Sequence, residues 1–230
     1  MKLLIAFLKL LRWPNLVFIA LTQWLFYFIV FFAINHVNPI HFSTFHSHSL
    51  LFYLLIFSSV CIAGAGYIIN DYFDIQIDAI NKPERIVVDQ AIKRRWVIVW
   101  HLFLSFLGIL TSAYVSYKTQ KWMIVFINTA CVFLLWFYST HFKRKLIIGN
   151  VLIAILTAWV IGVVYFYCGA TLIHFNVWNR NVYNYDAKLF YKLTILYSGF
   201  AFIVSLIREV VKDMEDMFGD ARFNCKTIPI

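Results

Sequence analysis

Asn70-Asp71-Tyr72-Phe73-Asp74-Ile75-Gln76-Ile77-Asp78 has a counterpart near the far end of the chain, Lys212-Asp213-Met214-Glu215-Asp216-Met217-Phe218-Gly219-Asp220, with aspartates at the same spacing. In each stretch the carboxylates fall at i, i+3 and i+7, which sets them on one face if the segment is helical. Like charges on one face repel each other and weaken a helix unless something positive lies against them. A hard divalent cation such as Mg²⁺ answers that need, and Mg²⁺ held by carboxylates usually also holds phosphate. The paired clusters therefore predict a two-part site that grips a diphosphate through bridging metal ions. A polar loop that merely ends a membrane span explains one or two aspartates, but not the recurrence of the gaps.

Around these clusters the chain is very apolar. It is 62% hydrophobic and 13% charged, with mean hydropathy +0.76, whereas a water-soluble domain averages about one-quarter charged residues. This composition predicts an integral, all-α membrane protein lying in the lipid bilayer. Apolar runs at about Pro14 to Ile34, Leu50 to Ile69, Trp96 to Ser116, Trp122 to Ser139, Leu146 to Ala170 and Leu189 to Val210 each approach the ~20 residues a spanning helix needs. Six spans in one membrane domain, residues 1–230, is the economical reading. Lys9 and Arg12 interrupt the first apolar residues and no small-x-small cleavage site follows, so the N-terminus reads as an amphipathic lead-in and not as a signal peptide.

A net charge of +9 invites a nucleic-acid partner, but the placement of the charges argues against one. Lys2, Lys9 and Arg12 precede the first span; Lys82, Arg85, Lys93, Arg94 and Arg95 lie between the second and third; Lys143, Arg144 and Lys145 lie between the fourth and fifth. Arg208, Lys212, Arg222 and Lys226 close the chain, and the opposite side has only Lys118, Lys121, Arg180, Lys188 and Lys192. By the positive-inside rule the N-terminus, both acidic clusters and the chain end face the cytoplasm, in the inner membrane of the cell. Asp71, Asp74, Asp78, Glu84, Asp89, Glu209, Asp213, Glu215, Asp216 and Asp220 share that side, leaving Asp186 alone on the other. Carboxylates and cations gathered on one face suit a metal-bridged anion.

The remaining candidates are read against plainer roles. Asn70 can offer its amide to a phosphate oxygen or to metal-bound water, or it can cap the next helix turn. Ala63-Gly64-Ala65-Gly66 reads as a small-residue surface for close helix packing. In the loop Tyr138-Ser139-Thr140-His141-Phe142-Lys143-Arg144-Lys145, Lys143 is the expected phosphate contact and Arg144 or Lys145 the topology anchor. Arg208 and Lys212, one turn apart, can balance the second acidic face, touch substrate oxygens, or both. His36, His41, His46 and His48 lie on the side away from the acidic clusters and lack tight ligand spacing. Cys61, Cys131, Cys168 and Cys225 form no C-x-x-C pair and read as free thiols.

Taken together, these residues resemble the UbiA superfamily of intramembrane prenyltransferases. The resemblance is carried by Asn70-Asp71-x-x-Asp74-x-x-x-Asp78, by the Tyr138-Ser139 to Lys143-Arg144 loop followed by Gly149-Asn150, and by Arg208-Glu209-x-x-Lys212-Asp213-x-x-Asp216-x-x-x-Asp220. Asp78-x-Ile80-Asn81-x-Pro83-x-Arg85 and the ending Gly219-Asp220 through Lys226-Thr227-Ile228-Pro229-Ile230 are most similar to the digeranylgeranylglyceryl phosphate synthase branch. The resemblance implies a helical bundle whose two aspartate motifs face each other across a central cavity. Asp71, Asp74, Asp78, Asp213, Asp216 and Asp220 would hold Mg²⁺ and act in catalysis. Asn70, Arg12, Arg85, Tyr138, Lys143, Arg208 and Lys212 would contact substrate.

The implied reaction moves a prenyl group from an isoprenoid diphosphate, geranylgeranyl diphosphate being favoured, to a lipophilic acceptor. The favoured acceptor is geranylgeranylglyceryl phosphate; an aromatic acceptor of quinone biosynthesis, 4-hydroxybenzoate or a naphthoate, is the alternative. A membrane scaffold or transporter is the alternative from another class, although neither needs a duplicated acidic face. A phosphatidyltransferase would also use clustered aspartates, but no Asp-Gly…Ala-Arg pattern precedes Asp71. Two departures from the family pattern stand out. Ile86 takes the place of the proline usual after the arginine, and the chain stops where relatives continue toward about nine spans, each of ~20 residues. The C-terminal helices of the family are thus expected to be lacking.

Overall fold

The computed structural model describes residues 2–31, 42–81, 83–145, 147–178 and 187–222. Helix α1, Lys2–Leu10, is amphipathic. Leu3, Leu4, Ile5 and Leu8 are exposed while Ala6 and Leu10 are buried against Ile68 and Val97. The chain then breaks at Arg12, which adopts a left-handed conformation (φ 51°, ψ 50°), and α2 runs Trp13–Leu25 with Pro14 in its first turn. Proline is tolerated there because that N–H has no helical acceptor in any case. A π-helical turn, Phe26–Phe31, follows.

Five long helices complete the described chain: α3 Phe42–Asn81, α4 Arg94–Thr119, α5 Trp122–Thr140, α6 Ile148–Trp178 and α7 Ala187–Arg222. Six segments are long and apolar enough to cross a membrane: Trp13–Val30, Leu50–Asn81, Arg94–Thr119, Trp122–Thr140, Ile148–Cys168 and Lys188–Met217. The chain is a membrane helical bundle with six spans among its described residues. Helix α3 is central, packing against α4, α5, α2 and α7, while α7 pairs chiefly with α6.

Two features of the helices correct the sequence reading. The second span does not end at Ile69; α3 continues without a break through the whole first acidic cluster to Asn81. Asn70 therefore lies in a helix interior and caps nothing. The second cluster is likewise helical, carried on α7 to Arg222. At about 1.5 Å per residue α3 is about 60 Å long, well beyond the ~30 Å hydrocarbon core, so its acidic end reaches the polar zone.

Small residues let the helices meet. A Cβ on Gly66 would lie 2.9 Å from both methyls of Leu135 on α5, and one on Gly64 3.1 Å from Leu11. The small-residue run is thus a packing surface. His101 of α4 is buried there with Nδ1 2.9 Å from the Ala65 carbonyl oxygen. Away from the acidic end, Phe26, Tyr27, Phe52, Leu55, Ile124, Val164, Tyr167 and Phe190 close into one buried cluster, with Tyr27 stacked on Phe52 at 3.9 Å between ring centroids.

Cys61, Cys131 and Cys168 are buried free thiols, and Cys225 lies outside the described residues. So do His36 and His41, and the side chains of His46 and His48.

Candidate active site

The acidic end of the bundle is assembled from six elements, the last of them the start of α6 with Asn150. Helix α3 supplies Asn70, Asp71, Asp74 and Asp78; α7 supplies Arg208, Glu209, Lys212, Asp213 and Asp216. The break before α2 supplies Arg12, the end of α5 supplies Tyr138, and the 3₁₀ turn Phe142–Arg144 supplies Lys143. The helical spacing of each acidic motif gives each helix one charged face, and neighbouring elements bring cations and amides to it. The two acidic helices meet directly, with Asn81 Nδ2 donating to the backbone carbonyl of Asp216 at 3.0 Å. Tyr138 lies between them, buried and within electrostatic reach of Glu209, Asp74 and Asp213.

Carboxylates of both clusters are paired with other side chains: two of the first with cations, one of the second with an amide. Arg12 donates to Oδ1 of Asp71 at 2.7 Å and lies 5.4 Å from the ring centroid of Tyr67. Burial disfavours the Arg12 cation, but the Asp71 carboxylate, with Tyr67 and Asp74 adding to it, outweighs burial and holds the guanidinium above its usual range. Lys143 donates to Oδ2 of the buried Asp74, and that oxygen also accepts from Asn70 Nδ2 at 2.5 Å. Asn150, in the first turn of α6, donates to Oδ2 of Asp213 at 2.8 Å. Lys212 lines the mouth of one cavity together with Arg12, Asn70 and Arg208, within electrostatic reach of Lys143, Glu209 and Asp74.

Hard oxygen donors suit Mg²⁺, and one observation tests the fit. Asn70 Oδ1 is buried and, among the described residues, accepts no hydrogen bond. A cation or its water reaching that orphaned acceptor would offset the cost of its burial. Among the described residues no three carboxylates are gathered closely enough to chelate one ion by themselves. The set therefore fits an ion held by one or two carboxylates, with substrate phosphate and water completing the shell, as Mg²⁺ is usually bound.

A cavity of about 600 Å³ opens from this end into the bundle. Its polar mouth has Arg12, Asn70, Tyr138, Arg208, Glu209 and Lys212; its walls are apolar, including Ile62, Leu135, Ile153, Leu156 and Val204. Such a space takes a ligand with a charged head and a greasy body.

Of the expected site residues, the structure gathers Arg12, Asn70, Asp71, Asp74, Tyr138, Lys143, Arg208, Lys212, Asp213 and Asp216 at this end, with Asp78 one turn beyond Asp74. The side chains of Arg85, Arg144 and Asp220 lie outside the described residues. Sequence reasoning did not identify Asn150 as the partner of Asp213, nor the buried Glu209 as cavity lining. It also passed over the polar layer of Gln23, Ser59, Asn128 and Trp159 deep in the spans. An amide inside an apolar run was the available signal.

The model of the UbiA prenyltransferase family matches residues 40–230. The digeranylgeranylglyceryl phosphate synthase of Methanosphaera stadtmanae is 29% identical over 181 residues, 77% of this chain and 57% of the relative. That of Thermococcus gammatolerans is 33% identical over 178 residues, 77% of this chain and 55% of the relative. The chain thus spans about half the length of these curated relatives. A solved structure from a study of digeranylgeranylglyceryl phosphate synthase in membranes aligns over 100% of this chain and 69% of its own, with TM-score 0.65 and 23% identity. That likeness establishes a shared fold.

Proposed function

This chain belongs to the UbiA prenyltransferase family, and from that premise we propose that it transfers a prenyl group from an isoprenoid diphosphate to the free hydroxyl of geranylgeranylglyceryl phosphate. Geranylgeranyl diphosphate is the favoured donor and Mg²⁺ the cofactor. The names of the relatives support the acceptor. The observation that carries the reading is the cavity mouth, where Arg12, Arg208 and Lys212 stand together beside two carboxylate faces. A donor diphosphate bridged to those carboxylates leaves cations over for a second anion, the phosphate of the acceptor. An aromatic acceptor would need a single carboxylate-binding group and a more apolar mouth.

Asp71, Asp74 and Asp78 on α3, with Asp213 and Asp216 on α7 and Asp220 beyond them, would hold Mg²⁺, which supplies charge neutralisation for the diphosphate and for its leaving oxygen. The chain's own groups do the rest. Lys143 and Lys212 meet phosphate oxygens, adding fixed positive charge where negative charge develops. Asn150 aims Asp213, Arg12 aims Asp71, and Tyr138 fills the space between the helices. The apolar walls hold the tail and exclude water from the allylic carbon as its bond to oxygen breaks, so that the acceptor hydroxyl attacks in place of water. That hydroxyl gives its proton to the surrounding carboxylate and phosphate oxygens. The distribution of lysine and arginine supports placing this end at the cytoplasmic face of the inner membrane.

The test supplies the reconstituted chain with Mg²⁺, labelled geranylgeranyl diphosphate and, separately, geranylgeranylglyceryl phosphate, 4-hydroxybenzoate or a naphthoate. Label is expected in the digeranylgeranyl ether lipid. Label only in a prenylated aromatic product would reject the acceptor, and donor binding without transfer to any acceptor would favour a scaffold.

A further inference from the structure

The cavity stops at one level on every helix that lines it. Starting from Arg12, Asn70 and Tyr138 at the acidic end, the lining reaches Thr22, Ser59 and Asn128, with Trp159 beside them on α6. Thr22, Ser59 and Asn128 lie ten or eleven positions from those starting points along α2, α3 and α5, or about 15 Å at the helical rise, roughly the middle of a ~30 Å hydrocarbon core. Ile161 is the deepest lining residue of α6. One turn beyond this level, Phe26, Leu55, Ile124 and Val164 belong to the buried cluster that fills the rest of the bundle. The cavity therefore has a floor, and the floor is polar.

Its bulkiest member is held in place. The indole N–H of Trp159 donates to Asn128 Oδ1 at 2.9 Å. Asn128 Nδ2 in turn donates to Ser112 Oγ at 3.0 Å and to Ser58 Oγ at 3.5 Å, and Ser58 donates to the Gly108 carbonyl at 2.8 Å. Helices α3, α4, α5 and α6 are thereby tied to one ring. Gly162 leaves room for the ring against its own helix, since a Cβ there would lie 3.2 Å from Trp159 Cε3. On the far side the ring meets Phe166 at 5.6 Å between centroids. Pushing the indole aside breaks a hydrogen-bonded network in a low-dielectric interior, where an unpaired polar group is costly.

We propose that Trp159, pinned by Asn128, is the floor of the prenyl-chain cavity and sets the longest isoprenoid tail the protein accepts. Trp159 is a specificity-determining residue, remote from the diphosphate. The inference rests on the prenyl-diphosphate reading of the cavity mouth. Membrane helices also use such polar contacts merely to hold together, so the test separates tail length from stability.

The full chain in lipid nanodiscs with Mg²⁺ is loaded with labelled geranylgeranyl diphosphate. Bound label is then competed with farnesyl, geranylgeranyl, geranylfarnesyl and solanesyl diphosphates, and thermal unfolding is followed in parallel. Trp159→Ala is expected to shift the affinity ratio of geranylfarnesyl to geranylgeranyl diphosphate by at least about tenfold toward the longer tail, the scale of one to a few methylenes gaining space in an apolar pocket. Trp159→Leu, which keeps an apolar side chain in the layer, is expected to shift the ratio the same way and carries the test if the alanine variant does not fold. An unchanged ratio with a lowered unfolding temperature would overturn the proposal and leave the network as interhelical glue. If the unmodified chain binds no allylic diphosphate of any length, the functional reading itself fails and the floor falls with it.

Discussion

Asn150 donates a 2.8 Å hydrogen bond to Oδ2 of Asp213, so a residue outside both acidic motifs aims a carboxylate of the second one. Partners of this kind fix which lone pair a metal-binding carboxylate presents. Replacing them typically costs about 10- to 100-fold in metal affinity or activity. Asn150→Ala is therefore expected to raise the Mg²⁺ concentration for half-maximal prenyl transfer by about that factor while leaving folding intact. Titrating Mg²⁺ against initial rate for the two proteins checks it. Superimposable curves would make Asn150 a packing residue.

Arg12 combines a left-handed backbone, a hydrogen bond to Asp71 and a position over the Tyr67 ring. A lysine ammonium cannot reproduce both the planar stacking and the directed N–H. Arg12→Lys is expected to raise the acceptor KM about tenfold, equivalent to ~1.4 kcal/mol of lost binding, with a smaller effect on the donor. Steady-state kinetics with each substrate varied in turn would show it. Equal losses on both substrates would remove Arg12 from the acceptor side.

Gly66 and Leu135 face each other across the cavity wall, and a Cβ on Gly66 would press on both leucine methyls at 2.9 Å. Gly66→Val is expected to destabilise the bundle by about 1–3 kcal/mol through overpacking. Combining it with Leu135→Ala should recover most of the loss, because the two sites share one contact. Unfolding temperatures of the single and double variants read this coupling; strictly additive losses would show that the helices separate instead.

The fold was legible where physics leaves few choices. Apolar runs of spanning length admit only helices in lipid, and the i, i+3, i+7 aspartates declared their own face. The continuity of α3 past Ile69 was only half legible, because the spacing gave the aspartates a helical face but not the Arg12 and Lys143 side chains that neutralise it. Those pairings join residues 59 and 69 positions apart, and no local pattern encodes them. The same holds for the Trp159 to Asn128 bond, where only an isolated amide in an apolar run hinted at a partner.

These internal pairings make a prediction about metal removal. Asp71 is paired with Arg12, Asp74 with Lys143 and Asn70, and Asp213 with Asn150, so the acidic faces are already partly neutralised by the chain itself. Chelation should therefore leave the bundle folded, unlike small metal-dependent domains whose metal binding energy is their folding energy. Donor binding has no such substitute, because without the cation nothing bridges the diphosphate to carboxylates that remain only partly neutralised. Chelating Mg²⁺ is expected to weaken geranylgeranyl diphosphate binding by more than about 100-fold, roughly 2.7 kcal/mol, while the unfolding temperature moves by only a few degrees. Asp74→Ala should behave in the opposite sense for stability, since it removes the carboxylate to which both Lys143 and the buried Asn70 amide donate. Binding isotherms and thermal melts, with and without chelator, measure both effects. Undiminished donor affinity in chelator would show that Arg12, Lys143 and Lys212 suffice for the diphosphate, and that the paired aspartates serve some purpose other than holding metal.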